Sequence, residues 1–99
     1  MSAPIFLDTN VPIYAAGTDH PLKAPCANVL NLAARHAAHF VTSVAVVQEL
    51  LHRYASRSIW KQGRTVVRGF MRLMEGRILP VEVGDIELAT ELMDAYAPR

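Results

Sequence analysis

The sequence predicts an α/β domain on a parallel sheet, and three observations carry that expectation. Short, mostly apolar runs at Ile5-Phe6-Leu7, Phe40-Val41-Thr42 and Ile78-Leu79-Pro80-Val81 alternate with longer stretches of helical spacing, the pattern of strand–helix–strand units. The first run is continuously hydrophobic, as a strand covered on both faces is. The 99 residues are enough for one core and not for two.

Taken in order, Ile5-Phe6-Leu7 reads as a buried parallel strand ending in Asp8-Thr9-Asn10. Pro12 limits the next segment to a short helical start, about one turn over residues 11–14. Gly17 through Pro21 reads as a loop. A helix is expected from about Lys23 to about His36, with Val29, Leu30, Leu32 and Ala33 inward; Pro25 is tolerated in its first turn. Phe40-Val41-Thr42 is the second strand, and Ser43 is placed to cap the helix that begins at Val44. That helix carries Val46, Val47, Leu50, Leu51 and Tyr54 inward. Another helix runs from about Ile59 to Met74 and ends near Gly76. Pro80 marks a bulge or end in the third strand. Asp85 is a good cap for a last helix through Ala89, Leu92, Met93 and Tyr96, which Pro98 stops.

Composition narrows the function classes. With 52% hydrophobic and 19% charged residues, the chain is not a disordered tail. No apolar run approaches the roughly 20 residues needed to span a bilayer, and no export signal is visible. Cys26 is the single cysteine, which excludes an intrachain disulfide and a cysteine-rich zinc site. The cytoplasm is the expected location, with no membrane partner. The net charge of +1 conceals a division. Between residues 53 and 77, Arg53, Arg57, Lys61, Arg64, Arg68, Arg72 and Arg77 face only Glu75. From residue 78 onward, Arg99 stands against Glu82, Asp85, Glu87, Glu91 and Asp94. A basic middle hints at a polyanionic partner.

Two acidic residues are placed for chemistry. Asp8 follows the carboxyl end of a strand, where open α/β sheets put their ligands, and a carboxylate is a hard ligand for Mg²⁺ or Mn²⁺. Glu49, in Gln48-Glu49-Leu50, lies in the second turn of the helix that starts where the second strand ends. Its side chain is expected to reach the same rim. Two carboxylates there give a divalent ion a place to activate water against a phosphodiester. The plainer alternatives are an Asp8 that caps its own turn and a Glu49 paired with Arg53 at i+4.

The strand ending Leu7-Asp8-Thr9-Asn10, then Val41-Thr42-Ser43 and Gln48-Glu49-Leu50, resembles the opening of a PIN domain, especially the VapC-type toxins of bacterial toxin–antitoxin pairs. The likeness extends over essentially the whole chain. It implies a PIN-like three-layer α/β fold with a parallel sheet, and a metal-dependent ribonuclease using Mg²⁺ or Mn²⁺. Asp8 matches the family's first acidic position and Glu49 its second, as catalytic metal ligands. Thr9 and Asn10 match the polar residues after the first Asp, and Ser43 supports the site. The resemblance also implies an RNA substrate, a cognate antitoxin that blocks the groove, and a homodimer.

In that family the chain continues into further strand–helix segments that carry the remaining acidic ligands, the next strand lying beside the first. The expectation is therefore a single PIN-like domain over residues 1–99, incomplete at its C-terminus and inactive as it stands, with its first strand a bare apolar edge. The alternative, from another class, is a non-catalytic PIN-derived module that binds RNA or protein. A phosphate-chemistry site of the response-regulator kind is a weaker fit, since no second Asp lies two residues after Asp8. Residues 57, 61, 64, 68 and 72 recur at three or four positions and line one helical face. They read as a solvated face or as an RNA track, with Arg64 and Arg68 the candidate contacts. Trp60 and Tyr54 are expected to anchor packing, and Val66, Phe70 and Met71 to stay partly exposed for dimerisation. The histidines show no ligand spacing. The RNA target and the physiological metal are not legible.

Overall fold

The computed structural model describes residues 3–80. Within them the chain runs β1 (Ile5–Phe6), α1 (Asn10–Ala16), α2 (Lys23–Arg35), a 3-10 turn (Ala37–His39), β2 (Phe40–Ser43), α3 (Val44–Ser56), α4 (Trp60–Leu73) and β3 (Ile78–Leu79). The sheet is parallel in the order β1-β2-β3. Ile5 lies opposite Phe40 and Phe6 opposite Val41; Thr42 lies opposite Ile78 and Ser43 opposite Leu79. A parallel neighbour needs a long crossover, and the helix pairs α1–α2 and α3–α4 supply the two crossovers. The α/β parallel architecture expected from the sequence is the one observed. The expected strand residue Val81 and the whole expected helix from Asp85 lie outside the described residues.

Local chemistry explains most boundaries. Pro12 is buried in the first turn of α1, where a missing N–H costs no intrahelical bond, so the helix runs seven residues and not the single turn expected. Ser43 is extended, and its hydroxyl accepts the Val46 N–H at 3.3 Å, the cap expected for α3. Past α4, Gly76 adopts a φ of +80°, a left-handed conformation that glycine takes without a Cβ penalty. Arg77 then donates to the carbonyls of Leu73 and Ala37. It ties the end of α4 to the turn before β2.

The core gathers Leu7, Ala33, Phe40, Val46, Val47, Leu50, Val67, Phe70 and Met74 from strands and helices alike. Several expected core positions fall elsewhere. Ile5 and Phe6, read as part of a buried strand but also as a bare apolar edge, are 55% and 52% exposed, because β1 is a sheet edge among the described residues and only Leu7 turns into the core. Leu32 and Leu51 are exposed, as is Trp60 at 39%, whereas Phe70 is buried. A helix buries only one stripe. On α4 that stripe is centred on Gly63, Val67 and Phe70, which carries Trp60 and Met71 to its outer edge. Among the described residues no helix is long and apolar enough to cross a membrane.

Candidate functional site

The site begins with how β1 ends. The Leu7 N–H donates to the Val41 carbonyl at 2.8 Å, and the Leu7 carbonyl accepts from the Thr42 hydroxyl at 2.8 Å. Thr42 is fully buried and Leu7 nearly so. Both polar groups of Leu7 are thus held by β2, at the last residue before the chain leaves the sheet. Asp8 comes next and is exposed. Its Oδ1 accepts the Asn10 N–H at 3.1 Å, and its carbonyl accepts the Val11 N–H at 3.4 Å. Thr9 is buried and its carbonyl accepts the Ile13 N–H at 3.3 Å. Asn10 is exposed and opens α1.

Because β1 and β2 are parallel and adjacent, their carboxyl ends share one rim. Asp8, Thr9 and Asn10 leave it from β1; Ser43 leaves it from β2 and starts α3. Glu49 sits further along α3, about 8 Å of helical rise beyond Val44 at 1.5 Å per residue. Its Oε1 lies 3.4 Å from Nη2 of Arg53, with the two side chains 54% and 33% exposed. The structure therefore shows Glu49 in its plainer pairing with Arg53. An exposed i,i+4 pair is worth only about 0.3–0.5 kcal/mol, too little to hold Glu49 against a competing ligand. Asp8 likewise shows its plainer contact, capping the turn through one oxygen.

The donor set fits a hard divalent cation in kind, since both candidates are carboxylates that take oxygen-seeking ions. It is short in number: among the described residues there is no group of three or more His, Cys, Asp or Glu side chains that could hold a metal. Glu82, Asp85, Glu87, Glu91 and Asp94 lie outside the described residues. Arg64 and Arg68 are exposed on α4 together with Lys61 and Arg72. Behind them, burial of Tyr54 pushes its hydroxyl pKa above the usual tyrosine value, opposed by the nearby Arg53 charge.

Thr42 is the residue that sequence reasoning undervalued. The supporting role was expected of Ser43, which caps α3, while Thr42 makes the link to β1. A signal was present. A threonine two residues after an inward Phe40 points to the same face, and a buried hydroxyl requires a partner.

Known proteins are similar to this chain over much of its length. The PIN domain family model matches residues 5–99. Ribonuclease VapC23 of Mycobacterium tuberculosis is 38% identical over 91 residues, covering 89% of this chain and 68% of that protein. Ribonuclease VapC13 of the same organism is 28% identical over 92 residues, covering 93% and 70%. Ribonuclease VapC7 is 40% identical over 53 residues, covering 54% and 37%. No solved structure matches the chain significantly.

Proposed function

This chain belongs to the PIN-domain family, and we propose from that premise that it is a metal-dependent endoribonuclease toxin, as its similarity to VapC ribonucleases suggests. The observation that carries the reading is Asp8, an exposed carboxylate at the carboxyl rim of a parallel sheet, on a turn that Thr42 pins from below. Ligands of open α/β sheets bind at that rim. Asp8 and Glu49 are the residues that would hold Mg²⁺ or Mn²⁺. When bound, such an ion lowers the pKa of a water molecule and offsets phosphate charge.

The chain's own residues do the positioning. The Asn10 N–H holds one Asp8 oxygen and leaves the other to a ligand. Thr9, buried behind it, anchors the first turn of α1. Ser43 fixes the start of the helix on which Glu49 rides. In this reading the substrate is RNA and the site of action the cytoplasm. A cognate antitoxin and a second copy of the chain are its protein partners.

One observation favours a second reading, in which the chain binds without cleaving: Glu49 pairs with Arg53 and Asp8 caps its own turn. An RNA-cleavage assay with Mg²⁺ or Mn²⁺ separates the two, run on the 99 residues and on the gene product that carries them. The gene product is expected to cleave, and Asp8→Asn to slow it by about a hundredfold or more through loss of the ion's ligand. Full cleavage by the Asp8→Asn form would remove Asp8 from the mechanism; RNA binding without cleavage in every form would establish the binding module instead.

A further inference from the structure

We propose that the outer face of α4 is a contact surface for single-stranded RNA, with Lys61, Arg64, Arg68 and Arg72 on phosphates and Trp60 stacking on a base. The proposal rests on the ribonuclease reading for its choice of nucleic acid and extends it to a surface away from the carboxylate rim. At 100° per residue, the four cations of α4 fall within an arc of about 80°. They form one stripe about 16 Å long, with neighbours about 4.5–6 Å apart along the axis. All four are exposed. Among the described residues none of them makes an ion pair, the single salt bridge being Arg53–Glu49. A row of exposed cations gains affinity for a polyanion by releasing its counterions.

Trp60 is what favours RNA over an acidic protein segment. It is 39% exposed and lies outside the core cluster, although an indole normally finds burial. It sits one helical turn before Arg64, on the flank of the stripe. An aromatic face beside a cationic track is the combination that single-stranded nucleic acids use, phosphates on the cations and bases on the ring. On the other flank Thr65 and Gly69 border a shallow hollow of about 300 Å³ shared with Arg68 and Arg72. That leaves the two guanidiniums room to take a phosphate from the side.

Trp60 is the sole tryptophan, so the protein carries its own reporter. Titrating single-stranded RNA in the presence of EDTA, which suppresses cleavage, should quench its fluorescence. The double variant Arg64→Gln/Arg68→Gln should lower affinity by about fivefold or more and reduce the slope of log K against log salt by about 1.4, at about 0.7 per lost contact. Arg64→Lys/Arg68→Lys should restore most of that slope. Arg35→Glu, at an exposed cation on α2, lowers the net charge by the same two units away from the stripe and is the control. Trp60→Ala should weaken binding by about fivefold or more through lost stacking. The proposal is overturned if the double Gln variant binds no worse than Arg35→Glu. It is also overturned if polyglutamate competes as well as RNA while RNA leaves Trp60 unquenched, which would make the face an acidic-protein site. Because binding is read without metal, loss of RNA binding in the stripe variants alongside a gene product that never cleaves would retain this surface and reject the ribonuclease.

Discussion

Replacing Thr42 with valine preserves the shape of the side chain and removes one hydroxyl. The Leu7 carbonyl then loses its partner in a place water cannot reach, since both residues are buried. An unsatisfied buried acceptor costs about 1–3 kcal/mol, so Thr42→Val should lower stability by that amount in urea unfolding. Asp8 leaves the sheet at the next residue, so the same variant should also lose ribonuclease activity beyond its loss of folded protein. Asp8→Asn should behave oppositely. Its amide oxygen still accepts the Asn10 N–H, so stability is retained while activity falls. A Thr42→Val protein as stable as the parent would show that the hydroxyl contributes nothing to the clamp.

At the scale of elements, the α3–α4 pair sets a sharper test. A Cβ on Gly63 would lie 2.3 Å from both Cβ and Cγ of Tyr54, atoms too close to the backbone of α3 to swing aside. Helix propensity favours Ala over Gly by about 1 kcal/mol, but forcing the two helices apart costs about 1–3 kcal/mol. Gly63→Ala should therefore destabilise. At Gly69, nearly two turns further along the same helix, a Cβ meets nothing within 4 Å. Gly69→Ala should gain about 0.5–1 kcal/mol from propensity alone. Thermal melts of the two variants should move in opposite directions; a shared direction would mean that the packing of Tyr54 on Gly63 does not control the pair. The sequence showed two glycines in one helix and no means of telling them apart, because the difference lies in what faces each.

For the whole molecule, Tyr54 couples this packing to pH. Its folded-state pKa is raised by burial, so the unfolded chain loses the tyrosine proton first as pH rises. The stabilisation is fully present below the unfolded value of about 10 and is lost as pH climbs toward the folded one. Denaturation midpoints should fall above pH about 10, and the fall should be smaller in Tyr54→Phe. An identical alkaline profile in that variant would place the titration on another group.

How much of this was legible depended on whether the information was local. Strand and helix order, the Ser43 cap and the limits of α2 follow from hydrophobic period, capping chemistry and chain-breaking residues, all of which act over a few neighbours. Asp8 was legible too, because an acidic residue after an apolar run marks a strand end whatever the run packs against. The exposure of Leu32 and Trp60 was not. An apolar residue is buried only if another element covers it, and the sequence does not say which faces are covered. The same reason hid the Thr42–Leu7 bond, between residues 35 apart in the chain, and let Glu49 be expected at the rim when it pairs with Arg53. Sequence alone determined the α/β order and the candidate carboxylates. Tertiary structure decided which hydroxyl pins Asp8, which face of α4 meets solvent, and where Glu49 rests, because each depends on contacts between segments distant in sequence.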